Sequence, residues 1–478
     1  MSMRVRAVVG LIFLLLLAGG WWIWQPNFFD RNVPVVIYLV DTLRADRLGF
    51  YGYPRPTSPE LDALATESVV FEQAYAPAPW TLPSVASLIT STYSCENGMT
   101  ERKKLNPALK TLAERLGAAG YFTGGVYHNV WIGPLSGLDR GYEVFNFRVL
   151  EKGEWLTDIK QLLDQVDDRP FFTYLHIMEP HDTYLAPYPY ISPVGHVSLD
   201  DRLRYKELID RLARLRQADW IAEQPIGTTD NTEQQTRTAA ALAELREPIS
   251  VLYDAAVRWS DATLGDVVRI LRERGIWDKA IFIFLSDHGE ELLDHGAWLH
   301  GQSVYEELAR VPLLIHFPGG QFAGQRIETP VNLVDIMPTI FDYLGRSELC
   351  DGCRGSSLLP LLRGDERPAN SISSLRMSRA FYYRPDKERR GDINLALRDG
   401  QWKAIWNDEL RFLELYDLQN DSGEKMDVSA QQPERVKVLS GRAREWLREC
   451  KDRAKPPAEL GEVDAETMEQ LRSLGYFN

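Results

Sequence analysis

Four cysteines in 478 residues are too few to crosslink a chain of this length, which excludes a disulfide scaffold standing in for a core. Positive charge is also scarce: 54 Lys and Arg face 68 Asp and Glu, a net charge of −14. That balance offers no electrostatic footprint for a phosphate backbone, so nucleic acid is not an expected partner. Internal repeats and low-complexity tracts are absent. What is present is 44% hydrophobic and 26% charged residues, the proportions of a globular core rather than of disorder. At roughly 150 residues per domain, the length accommodates two or three domains.

The amino terminus departs from the globular pattern. Arg4 and Arg6 precede Ala7 to Trp24, 18 residues without a charge, close to the shortest span that crosses a bilayer as a helix, about 17–25 residues. A cleaved signal peptide competes with this reading, because Ala18-Gly19-Gly20 supplies small residues. Trp21, Trp22 and Trp24 follow at once and favour an anchor, since Trp prefers the membrane–water interface. Residues 1–30 are therefore expected to be a single-pass anchor and linker in an inner (cytoplasmic) membrane. The arginines stay cytoplasmic and the remainder faces the periplasmic side.

Beyond the anchor, short apolar β-branched runs alternate with helical stretches. Val33 to Val40, Tyr121 to Tyr127, Pro170 to Ile177, Ala280 to Leu285 and Val311 to Phe317 read as buried strands; Leu109 to Ala119 and Ile249 to Arg274 read as helices. The alternation predicts an α/β fold with a mainly parallel central sheet flanked by helices. A catalytic domain is expected over 31–365, with a charged helical insertion at about 198–247. Residues 366–478 are expected to form a small α+β subdomain containing a hairpin at Asp399-Gly400.

Polar groups gather where the predicted strands end: Asp41, His176 to His181, and Asp287-His288. In open α/β sheets that edge binds ligands. A single acidic residue after a strand is more often a helix cap; three strands ending in Asp and His groups argue for a site. Two carboxylates and an imidazole suit a divalent cation. Thr81 opens the stretch Thr-Leu-Pro-Ser-Val, at the start of a predicted helix where the dipole favours anions. Its hydroxyl is either an N-cap or, beside a metal, a nucleophile.

These stretches resemble the sulfatase family of the alkaline phosphatase superfamily. VVIYLVDTLRADRLGFYGYPRPTSPELDALATESVVFEQAYAPAPWTLPSVASLITS is similar to the family's opening block, and HIMEPHDTYLAPY to its central His block. LSDHGEELLDHGAWLHGQSVYEELARVPLLIHFPG resembles its second metal-binding block. LALRDGQWKAIWN and LYDLQNDSGE resemble its carboxyl-terminal strands. The resemblance implies an alkaline phosphatase-like fold and a metal-dependent hydrolase. Asp41 and Asp287 match metal carboxylates, while Thr42 replaces the family's second aspartate and His288 its Asn. His181 matches the central substrate-side histidine. Thr81 stands where the family has the Cys or Ser that matures to formylglycine. Oxidising a secondary alcohol gives a ketone, so no formylglycine is expected. Val85 replaces an Arg, and the two substrate-binding Lys positions fall near His128 or Asn129 and at Gln302.

Thr81 with Asp-His-Gly also resembles the phosphoethanolamine transferases and lipoteichoic acid synthases of the superfamily, which carry a Leu-His-Gly segment like Leu299-His300-Gly301. The expected site is therefore Asp41, Thr81, Asp287 and His288 around one divalent ion. Zn²⁺ or Mn²⁺ is favoured by the imidazole, with Ca²⁺ as the alternative. Thr81 is the expected nucleophile and His181 or His300 the proton donor; His128, Asn129 and Gln302 are the expected substrate contacts. The expected substrate is a small-molecule, glycan or lipid ester. Phosphodiester, phosphonate or phospho-transfer chemistry is favoured over sulfate, because Thr81 with Asp-His-Gly resembles the phospho-transferring members and because three lost cationic positions weaken the electrostatics for a doubly charged ester or for a sulfate in the usual geometry. A conventional sulfatase and a catalytically silent scaffold are the alternatives. Among other histidines, His176 is a core residue or a site residue, His295 a neighbour of the ligands, and His196 and His316 structural. Cys350 and Cys353 are spaced for a small disulfide; Cys95 and Cys450 are expected to be free or buried.

Overall fold

Val35–Val40 (β1) is buried on both faces. Val35, Ile37 and Leu39 enter one core, and Val36, Tyr38 and Val40 the other, as a continuous apolar run in a doubly covered sheet requires. The computed structural model describes residues 32–99, 103–147, 152–181, 183–184, 186–221, 244–365, 370–377, 393–407 and 412–458. The expected anchor lies outside them. Among the described residues no helix is long and apolar enough to cross a membrane.

The other strands of the central sheet are Val69–Phe71 (β2), Phe122–Tyr127 (β3), Val144–Phe147 (β4), Phe171–Ile177 (β5) and Ile281–Ser286 (β6). After the two-stranded hairpin Glu291–Leu292 (β7) and Trp298–Leu299 (β8), Leu313–His316 (β9) and Arg326–Ile327 (β10) complete it. The eight strands run in the order β10-β2-β9-β6-β1-β5-β3-β4. From β6 to β4 every neighbour is parallel; β9 is antiparallel to both β6 and β2. The sheet is thus mainly parallel, as the alternating pattern implies.

Helices cover both faces. Thr81–Thr90 (α1) is buried at all ten positions, as its nearly uncharged, largely apolar sequence demands. Leu199–Ile221 (α2) begins the charged insertion, whose middle lies outside the described residues. Arg246–Glu273 (α3) buries one stripe against the sheet. The insertion thus ends by running directly into α3.

The carboxyl-terminal part is a four-stranded antiparallel sheet: Asn370–Met377 (β11), Ile393–Asp399 (β12), Trp402–Asn407 (β13) and Phe412–Asp417 (β14). Its tight turn holds Gly400 at φ 61°, a left-handed conformation that favours glycine. Pro433–Asp452 (α4) packs Leu439, Ala443 and Leu447 onto Leu395, Leu397 and Leu415. One expectation is corrected here. Cys95 and Cys450 are both buried, but they are not free thiols: they form a disulfide joining the α1 side of the molecule to α4. Sequence separation hid the pair, since 355 residues lie between them. Cys350 and Cys353 are also bonded.

Candidate active site and metal centre

Strand register builds the site. Val40 pairs with Ile177 on one side and Ser286 on the other, so Asp41 and Asp287 leave adjacent strand ends at the same level. Asp41 N–H donates to the Ile177 carbonyl at 3.0 Å, which fixes the exit of β1. Ser84 on the first turn of α1 donates its hydroxyl to the Asp287 carbonyl at 2.6 Å. That bond brings Thr81, at the amino end of α1, over the two strands.

Thr81 Oγ1 lies 3.3 Å from His288 Nε2 and 3.5 Å from Asp41 Oδ1. His288 Nε2 is 3.5 Å from Asp287 Oδ2 and 3.6 Å from Asp41 Oδ1. Ligand atoms of Asp41, Asp287 and His288 all fall within 4.8 Å of one another. The four side chains singled out in the sequence are therefore brought to one point.

The donor set fits a cation. His288 Nδ1 lies 2.8 Å from the Gly289 carbonyl. A carbonyl only accepts, so Nδ1 carries the proton and Nε2 presents its lone pair to the cluster. Burial, reinforced by His300, lowers the His288 imidazole to about 3, so it is neutral near pH 7 and able to ligate. Asp287 Oδ2 is fully buried without a hydrogen-bond partner, which is costly unless a cation faces it. Burial and the neighbouring charge of Asp41 push the Asp287 carboxyl well above its usual range; a bound cation reverses that preference. Burial opposes ionisation of Asp41 too, but the His176 hydrogen bond and the nearby His181, His176 and His288 override it and hold the group low.

The proposed proton donors also converge. The rings of His300 and His288 are 4.5 Å apart, and those of His181 and His300 5.1 Å. His300 Nδ1 is 3.0 Å from Glu290 Oε1, and Glu290 is fully buried. The sequence reading missed Glu290, which follows Asp-His-Gly directly. It also missed Arg44, which donates to the Glu290 carbonyl at 3.0 Å and to Asp294 at 2.6 Å. Arg44 thereby fastens the β1 loop to the β7–β8 hairpin that leads to His300.

The expected substrate contacts divide differently. Asn129 Nδ2 donates to Asp41 Oδ2 at 2.9 Å and lies 3.5 Å from Thr81 Oγ1, while its Oδ1 accepts from Trp131 N–H. Its amide thus ties Asp41 to the loop after β3. His128 is buried with its ring 4.4 Å from Trp155, and burial lowers it to about 3. The Gln302 amide donates to Glu291 Oε2 and the Leu299 carbonyl. Val85 sits in the apolar core. Among the described residues, no Lys or Arg hydrogen bonds or pairs with Asp41, Thr81, Asp287 or His288.

A second buried acidic group, Glu291, His295 and Glu307, is saturated internally. Glu291 Oε1 accepts from the N–H groups of His295 and Ala297, and Glu307 Oε1 lies 2.5 Å from His295 Nδ1. His295 Nε2 reaches the Glu424 carbonyl at 3.2 Å. This is a strut to the carboxyl-terminal region. His316 is structural, bonded to the Glu67 carbonyl and stacked on Trp277.

Comparison with known proteins adds the following. A family model described as Sulfatase matches residues 34–346, and one described as N-sulphoglucosamine sulphohydrolase, C-terminal, matches 294–452. Arylsulfatase K of Homo sapiens is 27% identical over 471 residues, covering 90% of this chain and 84% of that protein. N-acetylglucosamine-6-O-sulfatase of Bacteroides thetaiotaomicron is 23% identical, covering 90% and 88%. The structure of Phosphonate Monoester Hydrolase of Agrobacterium radiobacter aligns with a TM-score of 0.64 at 20% identity, covering 87% of this chain and 95% of that one.

Proposed function

The chain belongs to the sulfatase family and is a metal-dependent ester hydrolase, and from that premise we propose that it acts through unmodified Thr81 on a singly charged ester, with phosphodiesters and phosphonate monoesters favoured over sulfate. The observation that carries this reading is the seat of Thr81 Oγ1 between His288 Nε2 and Asp41 Oδ1. Asp41, Asp287, His288 and Thr81 would hold one divalent ion, Zn²⁺ or Mn²⁺ before Ca²⁺ because an imidazole is among the donors. Such an ion supplies charge neutralisation at a non-bridging oxygen and makes the Thr81 hydroxyl more acidic.

The chain's own residues account for the remaining steps. Asn129 and Asp41 orient Thr81, whose hydroxyl releases its proton to solvent and whose oxygen attacks phosphorus as the bond to the leaving oxygen breaks. His181 or His300 gives the leaving oxygen a proton. Water then cleaves the Thr81 ester, or an acceptor alcohol does so and the enzyme is a transferase. The lack of a guanidinium or ammonium at Val85 and Gln302 disfavours a dianionic phosphate monoester, whose second charge would be unmatched, and leaves the monoanions; among these, a plain Thr81 oxygen lacks the second geminal hydroxyl with which a hydrated formylglycine expels sulfate. A fold shared with a phosphonate monoester hydrolase supports the phosphorus reading at the level of fold. A conventional sulfatase acting on a glycan ester is the second reading, favoured by the names of the sequence relatives.

Arg4, Arg6 and the uncharged run to Trp24 support a single-pass anchor with the enzyme outside the cytoplasm. The two disulfides support the same oxidising compartment. The deciding experiment compares aryl sulfate, phosphate monoester, phosphodiester and phosphonate substrates with metal-loaded enzyme and Thr81→Ala. A clear preference for sulfate overturns the phosphorus reading, and full turnover by Thr81→Ala overturns the nucleophile.

A further inference from the structure

Two buried groups that the reaction itself does not use line up behind Asp41. Tyr174 and His176 are alternate residues of β5 and so share a face of the sheet. Both are essentially without solvent exposure, and Tyr174 belongs to the apolar core layer that also holds Ile37 and Leu39. Polar atoms placed there need partners. Tyr174 OH lies 3.0 Å from His176 Nδ1, and His176 Nε2 lies 3.2 Å from Asp41 Oδ2.

The chemistry of the three groups fixes the direction of the chain. A carboxylate acting as metal ligand can only accept, so His176 Nε2 carries the proton and donates it. In the neutral ring Nδ1 is then the acceptor, and the Tyr174 hydroxyl must be its donor. Asp41 Oδ2 thus receives two N–H groups, from His176 and from Asn129 at 2.9 Å. Asp41 Oδ1 is left facing Thr81 Oγ1 and His288 Nε2.

We propose that Tyr174 and His176 are positioning residues that select Oδ1 of Asp41 as the metal-facing oxygen, the phenol fixing the imidazole tautomer and the imidazole fixing the carboxylate. The inference rests on the metal site proposed above and deepens it. With the relay intact, Asp41 offers one oxygen in one orientation. Without it the carboxylate is free to rotate, and the alternative tautomer would turn a lone pair toward Oδ2. Groups that orient a ligand in this way typically alter metal affinity by about 10–100-fold when removed.

The test uses the full chain, stripped of metal and titrated with Zn²⁺ or Mn²⁺ alone against a chromogenic chelator, with the Tm of the metal-free protein measured in parallel. Tyr174→Phe, which removes one oxygen, is expected to weaken binding about 10-fold while leaving the metal-free Tm within a few degrees of wild type. His176→Phe is expected to weaken it up to about 100-fold, and His176→Gln, which keeps an N–H donor, to recover part of the loss. In the His176→Phe background Tyr174→Phe is expected to add nothing, because the chain is already broken. Should His176→Phe fail to fold, Tyr174→Phe decides by itself. Wild-type affinity in Tyr174→Phe would overturn the relay while the metal site stands. No metal binding by wild type would overturn the site and the relay together.

Discussion

Asp41 and Asp287 project side by side from neighbouring parallel strands, because Val40 and Ser286 are register partners and each aspartate is the next residue. Two buried carboxylates so placed repel unless something positive lies between them, and Asp287 Oδ2 has no hydrogen-bond donor of its own. Metal removal is therefore expected to abolish activity and lower the Tm; at a metal concentration of 100 Kd the bound form gains about 2.7 kcal/mol. Asp287→Asn is expected to raise the Tm of the metal-free protein while abolishing the metal-induced increase. Thermal melts with and without chelator check both, and an unchanged metal-induced shift in Asp287→Asn would refute the ligand assignment.

Thr81 lies within reach of Asp41, His288 and Asn129 and is almost fully buried. Thr81→Ala is expected to lower kcat by 10³-fold or more, the order seen when a member of a nucleophilic constellation is lost. Thr81→Ser keeps the oxygen and is expected to retain activity within about 10-fold. Trp80, not Thr81, is the N-cap of α1; steady-state kinetics on the best substrate from the screen, with mass spectrometry for a Thr81-linked adduct, discriminate a nucleophile from a merely structural hydroxyl.

The two disulfides differ in what they tie. Cys95–Cys450 closes a separation of 355 residues, Cys350–Cys353 one of 3. Loop-closure entropy assigns the long crosslink up to about 5 kcal/mol and the short one far less. Cys95→Ala with Cys450→Ala is expected to lower the denaturant midpoint strongly and leave kcat of the folded enzyme within about twofold. Cys350→Ala with Cys353→Ala is expected to shift the midpoint little. Equal losses from the two pairs would contradict the assignment.

Asp261 on α3 accepts N–H bonds from Glu60 at 3.0 Å and Leu61 at 2.8 Å. Burial nevertheless pushes its carboxyl up to about 7, outweighing those two donors. The folded chain thus binds a proton that the unfolded chain releases near the ordinary value of about 4. This contribution is complete below pH 4 and is lost as pH rises toward 7. Asp261→Asn is expected to flatten the dependence of unfolding free energy on pH across that window. A slope unchanged between pH 4 and 7 would show that Asp261 is not its source.

Local patterning made much of the framework readable before any coordinates. The doubly buried run at Val35–Val40, the helix at Arg246–Glu273 and the hairpin at Asp399-Gly400 each follow from periodicity or turn chemistry. Asp41, Asp287 and His288 were legible because ligands in parallel sheets come from strand ends, and Thr81 because it opens a helix. The contacts of His128 and Gln302 were not. Chain position placed them near a site, but where each side chain points depends on Trp155 and Glu291, which packing brings from elsewhere.

What the sequence determined by itself was the class of fold and the kinds of atoms available to bind a cation, since both follow from residue type and spacing along the chain. Only the tertiary structure decided which cysteines pair, which oxygen of Asp41 faces Thr81, and that Tyr174, His176 and Glu290 stand behind the site. The disulfide and the contacts of Asp41 join residues 40 to 355 apart in the chain, and even the shorter-range pairs, Tyr174–His176 and Glu290–His300, are set by side-chain directions that no local preference specifies.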